Sequence, residues 1–341
     1  AIGQPYHFRH FQVEQGLSNN TVFCSVQDHQ GFMWMGTKDG LNRYDGYTFK
    51  VFRNDPDDSL SLGDNFVRSL LAGKNKTLYA GTRNGLYAYH EYTETFTQLY
   101  ATADEIREIA ADDMNNLWFV AGQKLYCLGR AAKGYQLKDL HTQYQFTSVA
   151  CAPGGKVWAA TADGLLLSYN KAAGGFKVAY KMPECEPPLP GWIEKITILP
   201  NGNILAGTAS CGAFLYNEAT ASSRFILRRN TDRTGIFVRD FLPIDNSTIW
   251  IATESGIFIY NLEQQTFTHL EKQILNPFAL SDNAVYTLCR DKEGGIWCGT
   301  YFGGINYNAQ AYANFNILLP GNSPQNLSGQ AVREMVEDDK G

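Results

Sequence analysis

Three arginines stand at equivalent positions along this chain, and their side chains could recognise an anion. They are Arg68, Arg107 and Arg239. A guanidinium group presents a planar fork of N–H donors that matches the oxygens of a carboxylate or a sulfate. Three such forks at one place predict a site for an acidic sugar. The alternative is that the arginines form structural ion pairs with Glu194, Glu108 or Asp240, and the residues alone leave both interpretations open.

The positions are equivalent because the chain repeats an interval of twelve residues seven times. Each interval begins at an apolar residue and ends at a bulky one: Trp34, Tyr79, Trp118, Trp158, Leu205, Trp250 and Trp297. The residues that directly follow the leading apolar residues are Phe23, Arg68, Arg107, Thr147, Glu194, Arg239 and Tyr286. We therefore expect these seven side chains to share one structural position, with Glu194 and Tyr286 joining the arginines in a candidate ligand site.

Each repeat also carries the signals of four short strands, which is typical of an all-β array. In the first unit we predict strands at 22–27, 32–37, 41–44 and 48–52, separated by turns that contain Gly. Outer strands of later units are predicted at 96–99, 176–180, 225–227, 267–270 and 315–318. The bulky residues recur every 39 to 47 positions, a period typical of propeller blades.

The repeat predicts one all-β domain over residues 1–330, a seven-bladed β-propeller of four-stranded antiparallel blades around a central channel. A small residue two places after the bulky one, such as Gly36 or Gly81, lets adjacent blades approach closely. Residues 8–11 read as an outer strand that could close the ring on the last unit, although a later segment could also do so. Residues 331–341 repeat the start of the first unit. We interpret them as the beginning of an eighth repeat, in a following propeller or as a closing strand.

Loops at the same end of the blades extend the candidate site. The turns between second and third strands share a face with the connections that lead into each blade, and function in such folds lies mostly in loops. Variable residues of these loops include Lys38, Arg83, Tyr301 and Phe302. Together with the channel mouth, they form the predicted ligand-binding face.

Trp192 is the one tryptophan that the repeat does not assign to a blade core. It follows a Pro-rich connection at 182–191, and Pro stiffens an exposed loop. Such a loop could present the indole for stacking on a sugar face or for docking another domain. The alternative is that Trp192 only caps its loop against the blade.

Asparagines precede the first strand in three units, at Asn20, Asn65 and Asn283. Asn readily caps a turn with its own side chain, and this local role is the interpretation we favour. The same amides could also bond sugar hydroxyls.

Composition narrows the functional classes. The net charge of −5 and the pI near 5.7 give no basic field, so we expect no nucleic-acid partner. No apolar run approaches the roughly 18–20 residues of a membrane-spanning helix. The seven cysteines show no CxxC pair and no metal-ligand spacing, so we expect neither metal nor cofactor. Their odd number leaves at least one unpaired within the chain, and for each we favour packing over a redox role.

The segment GLSNNTVFCSVQDHQGFMWMGTKDGLNRYDGYTF, at 16–49, closely resembles the two-component-regulator propeller repeat. The combination of GLSNN, the D-x-x-G hairpin, W-x-G-T and GLNRYDG carries the resemblance, which extends over nearly the whole chain. The third and fifth units depart from it: Ala121 replaces Thr, Lys124 replaces Gly, and the turn at 209–212 has one extra residue.

This resemblance implies the N-terminal propeller of the periplasmic sensor region of a hybrid two-component system from a polysaccharide-degrading bacterium. It implies partners in the same chain, namely a second propeller, an immunoglobulin-like domain and a membrane helix leading to a histidine kinase. It also implies a homodimeric parent protein that detects oligosaccharides and controls glycan-utilisation genes. The arginines would make an anionic oligosaccharide the expected ligand.

Two other functions compete with sensing. A propeller glycosidase or lyase would need paired carboxylates or a His/Tyr constellation on the functional face, and the acids here fall in different blades without evident pairing. We therefore expect a non-catalytic domain. A structural or dimerisation propeller, with the ligand bound elsewhere in the parent, is the second competitor.

Overall fold

The computed structural model describes residues 6–131, 134–138, 140, 142–183, 185 and 191–309. Across these ranges the chain forms short β-strands and one 3-10 helix, Val13–Gln15. The strands assemble into seven four-stranded antiparallel sheets. The innermost strands of neighbouring sheets contact one another around a closed ring. The prediction of a seven-bladed β-propeller is therefore confirmed.

Each of the first six blades uses four consecutive strands, ordered from the inside outwards. Blade 1 contains β2 (Val22–Gln27), β3 (Met33–Thr37), β4 (Gly40–Tyr44) and β5 (Phe49–Phe52). Blade 2 contains β6 (Val67–Ala72), β7 (Leu78–Thr82), β8 (Gly85–His90) and β9 (Thr95–Ala101). Blade 3 contains β10 (Ile106–Ala111), β11 (Leu117–Ala121), β12 (Lys124–Ala131) and β13 (Gly134–Lys138).

The same order continues through the second half of the ring. Blade 4 contains β14 (Phe146–Cys151), β15 (Val157–Thr161), β16 (Leu165–Asn170) and β17 (Gly175–Lys181). Blade 5 contains β18 (Ile193–Ile198), β19 (Ile204–Thr208), β20 (Ala213–Asn217) and β21 (Ser222–Leu227). Blade 6 contains β22 (Val238–Pro243), β23 (Thr248–Thr253), β24 (Gly256–Asn261) and β25 (Thr266–Leu270), and blade 7 begins with β26 (Val285–Arg290), β27 (Ile296–Thr300) and β28 (Ile305–Asn308).

The N-terminal strand β1 (Arg9–Phe11) completes blade 7 by pairing antiparallel with β28. Its residue Phe11 lies opposite Ile305, and both Phe8 and Phe11 are buried. The segment at 8–11 therefore closes the ring. The outer-strand position of blade 7, which we predicted for 315–318, is held by β1, because β1 pairs along the edge of β28. Residues 315–318 and 331–341 lie outside the described residues.

Tryptophans of the repeat lie at the interfaces between blades, and the five that we predicted to be core residues are 1–5% exposed. Trp34 packs with Val67 and Leu70 of the next blade. Close approach depends on the small residue of the repeat, because a Cβ at Gly36 would come within 2.8 Å of Val67. The same conflict would arise at Gly81, where a Cβ would lie 2.6 Å from the Ile106 side chain.

Polar residues of the repeat hold the turns. The Thr that ends the second strand is fully buried in six blades, and in blade 1 Thr37 Oγ1 donates to the carbonyl of Gly40 at 2.9 Å. In three blades the indole N–H donates to an Asp of the preceding hairpin, as from Trp34 to Asp28 at 2.7 Å and from Trp297 to Asp291 at 2.8 Å. These repeated residues are therefore structural. The positions directly after each leading apolar residue, which differ from blade to blade, are the ones available for function.

Candidate functional site

A β-bulge at the second residue of the inner strand builds the candidate site in all seven blades. The register against the neighbouring strand shifts there, for example between Val22 and Cys24, so that the intervening residue has no partner in the ladder. A bulge of this kind re-aims a side chain. The bulged residues are Phe23, Arg68, Arg107, Thr147, Glu194, Arg239 and Tyr286, and all seven line one cavity of about 200 Å³.

The prediction that these seven residues share one position is thus confirmed, and the cavity lies at the centre of the ring because every inner strand contributes to it. Five of the ten candidate ligand-binding residues line it: Arg68, Arg107, Glu194, Arg239 and Tyr286. The other five lie around it. Ligand binding by any of these residues stays a prediction.

The three arginines converge on one carboxylate. Glu194 Oε1 lies 3.0 Å from Arg239 Nη1, 3.7 Å from Arg107 Nη2 and 3.9 Å from Arg68 Nη2. The Glu194 side chain is only 7% exposed, so these interactions take place largely out of bulk solvent. The structural ion-pair alternative therefore holds for Glu194. It does not hold for Glu108 and Asp240, which pair with Lys195 instead.

Two of the arginines have a further acidic partner. Arg68 Nε lies 2.9 Å from Glu105, and Arg239 forms an ion pair with Glu254 and donates to the Tyr286 hydroxyl at 3.1 Å. Three guanidinium groups thus face three carboxylates, whose formal charges cancel. The side chains Arg68, Arg107, Glu194 and Arg239 are hereafter the charged sector.

Trp192 contacts the charged sector. Its indole N–H donates to Glu194 Oε2 at 2.8 Å, and Arg107 lies 5.5 Å from the centre of its ring. The side chain is half-buried. The hydrogen bond to Glu194 therefore holds the indole at the mouth, and stacking of Trp192 on a ligand stays a prediction.

Aromatic rings occupy the adjoining part of the mouth, where Arg239 lies 4.3 Å from the centre of the Tyr286 ring and Arg68 lies 5.3 Å from that of Phe23. Tyr286 lies 5.9 Å from Phe23 and 5.3 Å from Tyr301, measured between ring centres. Tyr301 in turn lies 4.6 Å from Phe302, whose side chain is 72% exposed. The residues Phe23, Tyr286, Tyr301 and Phe302 are hereafter the aromatic sector. This sector extends from Phe23 and Tyr286, which line the cavity, to Phe302, whose ring is exposed to solvent.

Two of the predicted loop residues are peripheral. The guanidinium group of Arg83 lies 3.9 Å from the centre of the Phe66 ring. The centres of the Phe66 and Phe23 rings are 4.7 Å apart, so Phe66 links Arg83 to the aromatic sector. Lys38 is exposed, and its backbone N–H donates to the carbonyl of Thr21. The structure places neither side chain among those that line the cavity.

The predicted shared face is confirmed by a recurring backbone hydrogen bond. The residue after the second strand donates to the carbonyl just before the inner strand of the same blade, as from Glu254 to Phe237 and from Tyr301 to Ala284. Turns and entry connections therefore meet around the mouth.

The asparagines of these connections act over a longer distance than a local cap. The Oδ1 atoms of Asn65 and Asn283 accept the N–H groups of Asn54 and Lys272, each eleven residues earlier. Asn20 similarly accepts from Val13 at 3.0 Å. The local-cap interpretation is wrong, because each amide instead fastens the start of the preceding connection to its end.

A second polar layer follows the bulged residues by one position. The sequence named its members Glu108 and Asp240 only as possible partners of the arginines, and it did not name Lys195. Lys195 Nζ lies 2.5 Å from Glu108 and 3.7 Å from Asp240. Glu108 also accepts from Ser148 Oγ and from the Val149 N–H of the next blade, at 2.5 and 2.8 Å. Burial lowers the pKa of Lys195, but the two carboxylates raise it by more, so that the pKa lies above its usual range. Aligning the repeats one residue further would have found this layer.

One disulfide joins the Pro-rich connection to the face of blade 5. It links Cys185 to Cys211, and Ala209 of the same turn donates to the carbonyl of Trp192. We favoured packing for every cysteine, and for this pair that is wrong. Burial raises the pKa of the Cys24 thiol to about 12 and that of Cys127 to about 11, which fits a packing role for these two.

Neither a metal centre nor a membrane span is found in the part of the chain that the structure describes. Its His, Cys, Asp and Glu side chains form no group of three or more that could hold a metal ion. No helix in these ranges has the length and hydropathy that crossing a membrane requires.

Comparison with known proteins agrees with this architecture. The two component regulator propeller family model matches residues 16–39 and 279–302, which contribute the first two strands of blades 1 and 7. These segments are two-component-regulator propeller repeats, and the resemblance is confirmed. A histidine kinase P4 of Formosa agariphila is 45% identical over 62 residues, which is 18% of this chain and 4% of that protein.

Solved structures extend the similarity to the whole fold. The extracellular domain of a putative hybrid two component system from B. thetaiotaomicron superposes with a TM-score of 0.80 at 24% identity, over 99% of this chain and 46% of that one. The extracellular domain of another such system from the same organism gives a TM-score of 0.75 at 20% identity, over 89% and 39%. At these identities the likeness concerns the fold, and the chain spans less than half of either structure.

Proposed function

We propose that this propeller is an extracytoplasmic, non-catalytic sensor domain that binds an oligosaccharide at the channel mouth and signals through a histidine kinase to glycan-utilisation genes. The observation that carries the proposal is the convergence of seven bulged side chains on one cavity, flanked by an open aromatic sector. Aromatic faces bind the apolar faces of sugar rings, and polar groups beside them bond the hydroxyls.

A periplasmic location is part of the proposal, and two observations support it. The similar solved structures are extracellular domains. The Cys185–Cys211 disulfide suits an oxidising compartment, where such bonds persist. In the parent protein we propose that ligand binding shifts the relative pose of further domains and of a second protomer, which requires different ligand affinities for the two poses.

The competing functions have less support at the mouth. For a glycosidase, Glu194 and Glu254 would be the candidate carboxylates, yet both are bound by Arg239, and Glu194 also faces Arg68 and Arg107. Carboxylates held in this way are poorly placed to act as acid and nucleophile. A purely structural propeller gains nothing from Phe302, whose exposed ring adds little to packing.

Calorimetric titration with a panel of neutral and acidic oligosaccharides tests the proposal. Wild type should bind at least one of them, and Phe302→Ala should weaken that affinity about tenfold, because a lost stacking contact costs roughly 1–1.5 kcal/mol. Tyr92→Ala is the matched control, since Tyr92 is 95% exposed on the hairpin between β8 and β9 at the other end of the blade. Equal affinities of the two variants for every bound ligand would overturn the site, and binding of none of the panel would overturn the proposed ligand class.

A further inference from the structure

We propose that Glu194 is a specificity residue, an internal carboxylate that occupies the anion site of the three arginines and reserves the mouth for uncharged ligands. The inference rests on the proposed function, because it concerns the ligand of the same face. It replaces the expectation of an acidic sugar.

Both oxygens of Glu194 are already bound. Oε1 faces the guanidinium groups of Arg68, Arg107 and Arg239, the closest at 3.0 Å, and Oε2 accepts the indole N–H of Trp192 at 2.8 Å. This is the arrangement in which arginines bind a carboxylate or a sulfate from solution. Here the protein supplies the anion from its own inner strand β18.

A ligand carboxylate or sulfate would have to displace a tethered competitor. Glu194 is fixed by the backbone of a bulged strand, so its effective concentration at the arginines far exceeds that of a dissolved ligand. A dissolved anion also loses translational and rotational freedom on binding, which Glu194 does not. Displaced, Glu194 would remain as an unpaired, largely buried charge.

The remaining charges do not leave a vacancy for a second anion. Arg68 also pairs with Glu105 at 2.9 Å, and Arg239 also pairs with Glu254. An added sulfate would therefore meet a neutral arrangement whose nearest exposed groups include carboxylates. A neutral sugar does not compete with Glu194, since its hydroxyls can bond the outer edges of these groups while its ring contacts the aromatic sector.

Sulfate binding to Glu194→Gln tests the assignment without requiring the oligosaccharide. The amide keeps the size of the side chain and an acceptor for Trp192, but it removes the negative charge. In calorimetric titration of the full chain with sodium sulfate, Glu194→Gln should bind at least roughly tenfold more tightly than wild type. Addition of Arg239→Gln to this variant should abolish the gain, because it removes the guanidinium nearest to Glu194.

Glu105→Gln is the charge-matched control. It removes one carboxylate from the same mouth, but its partner Arg68 still faces Glu194. We expect no gain in sulfate affinity. An equal gain in both variants would show that only the net charge matters and would overturn the proposal, as would the absence of any gain in a folded Glu194→Gln protein.

Glu194→Thr keeps the test decisive if the Gln variant does not fold. Thr147 occupies the equivalent bulge in blade 4, so a Thr side chain is compatible with the bulged backbone. This variant should also gain sulfate affinity, because the arginines again lose their internal carboxylate. Wild-type protein that bound sulfate as tightly as either variant would contradict the proposal. Since the probe is inorganic sulfate, these results are independent of whether the proposed oligosaccharide binds.

Discussion

The charged sector and two residues of the aromatic sector, Phe23 and Tyr286, come from the same set of bulges, yet the two sectors differ in how far their side chains are paired. In the charged sector, each guanidinium group faces Glu194, and two of them have a further carboxylate. In the aromatic sector, contacts run outward from Tyr286 through Tyr301 to the exposed ring of Phe302. The charged groups of the first sector are paired within the protein, whereas the second sector has an aromatic ring that is exposed to solvent. The charged residues, which could form the strongest interactions with a ligand, are therefore less available to it than the exposed aromatic ring.

The largest loss of stability should come from removing an arginine of the charged sector. Arg239→Ala leaves Glu194 without its closest partner, and breaking a buried pair on one side costs about 3–5 kcal/mol of unfolding free energy. Urea denaturation measures this. The control is Arg53→Ala, which breaks an ion pair with Asp39 in which both side chains are nearly half exposed and should cost under ~1 kcal/mol. Similar losses in the two variants would show that the charged sector is not structurally special.

A somewhat smaller loss of stability should follow from removing the disulfide of the Pro-rich connection. The Cys185–Cys211 bond closes a loop with a sequence separation of 26 that includes Trp192 and Glu194. The double Ser variant should lose about 2–4 kcal/mol, since the disulfide restricts the unfolded chain. Thermal unfolding with and without reductant checks this, because reductant should destabilise wild type but leave the variant unchanged. Equal sensitivity of both proteins to reductant would count against the bond.

The smallest stability effect should be found in the aromatic sector. Phe302→Ala should change the unfolding free energy by less than ~0.5 kcal/mol, because the ring is mostly exposed. Its effect should instead fall on ligand affinity. A Phe302→Ala protein that lost several kcal/mol of stability would show that this ring is a packing residue, and the contrast between the sectors would disappear.

The repeat allowed the fold to be predicted from the sequence, together with the bulged residues that line the central cavity. A fixed interval from Val22 to Trp34, repeated seven times, identified both the blade cores and the residues that follow each apolar anchor. Outer strands were harder: β13 (Gly134–Lys138) was missed because its unit departs from the motif. The closure by β1 was left open, since pairing between the two ends of a chain leaves no local signal.

The partners of the ring residues could be predicted only in part, since Glu194, Glu108 and Asp240 were named as possible partners of the arginines and only Glu194 pairs with them. An alignment places Arg68, Arg107 and Arg239 at one level, but it does not say that a single Glu194 reaches all three. For Trp192 the sequence left a stacking platform and a loop cap open, and it does not show the hydrogen bond to Glu194 two residues later. The sequence also does not show that Cys185 and Cys211, with a sequence separation of 26, form a disulfide.

Tryptophan fluorescence offers the most direct test of a ligand site at this mouth, because Trp192 lies there while the other five tryptophans are buried between blades. Titration of wild type with an oligosaccharide that binds calorimetrically should give a saturable change in emission. The change should be absent in Trp192→Phe, and its midpoint should move to higher concentration in Phe302→Ala. Calorimetric binding without any Trp192 signal, and with unchanged affinity in Phe302→Ala, would place the ligand elsewhere and contradict the account.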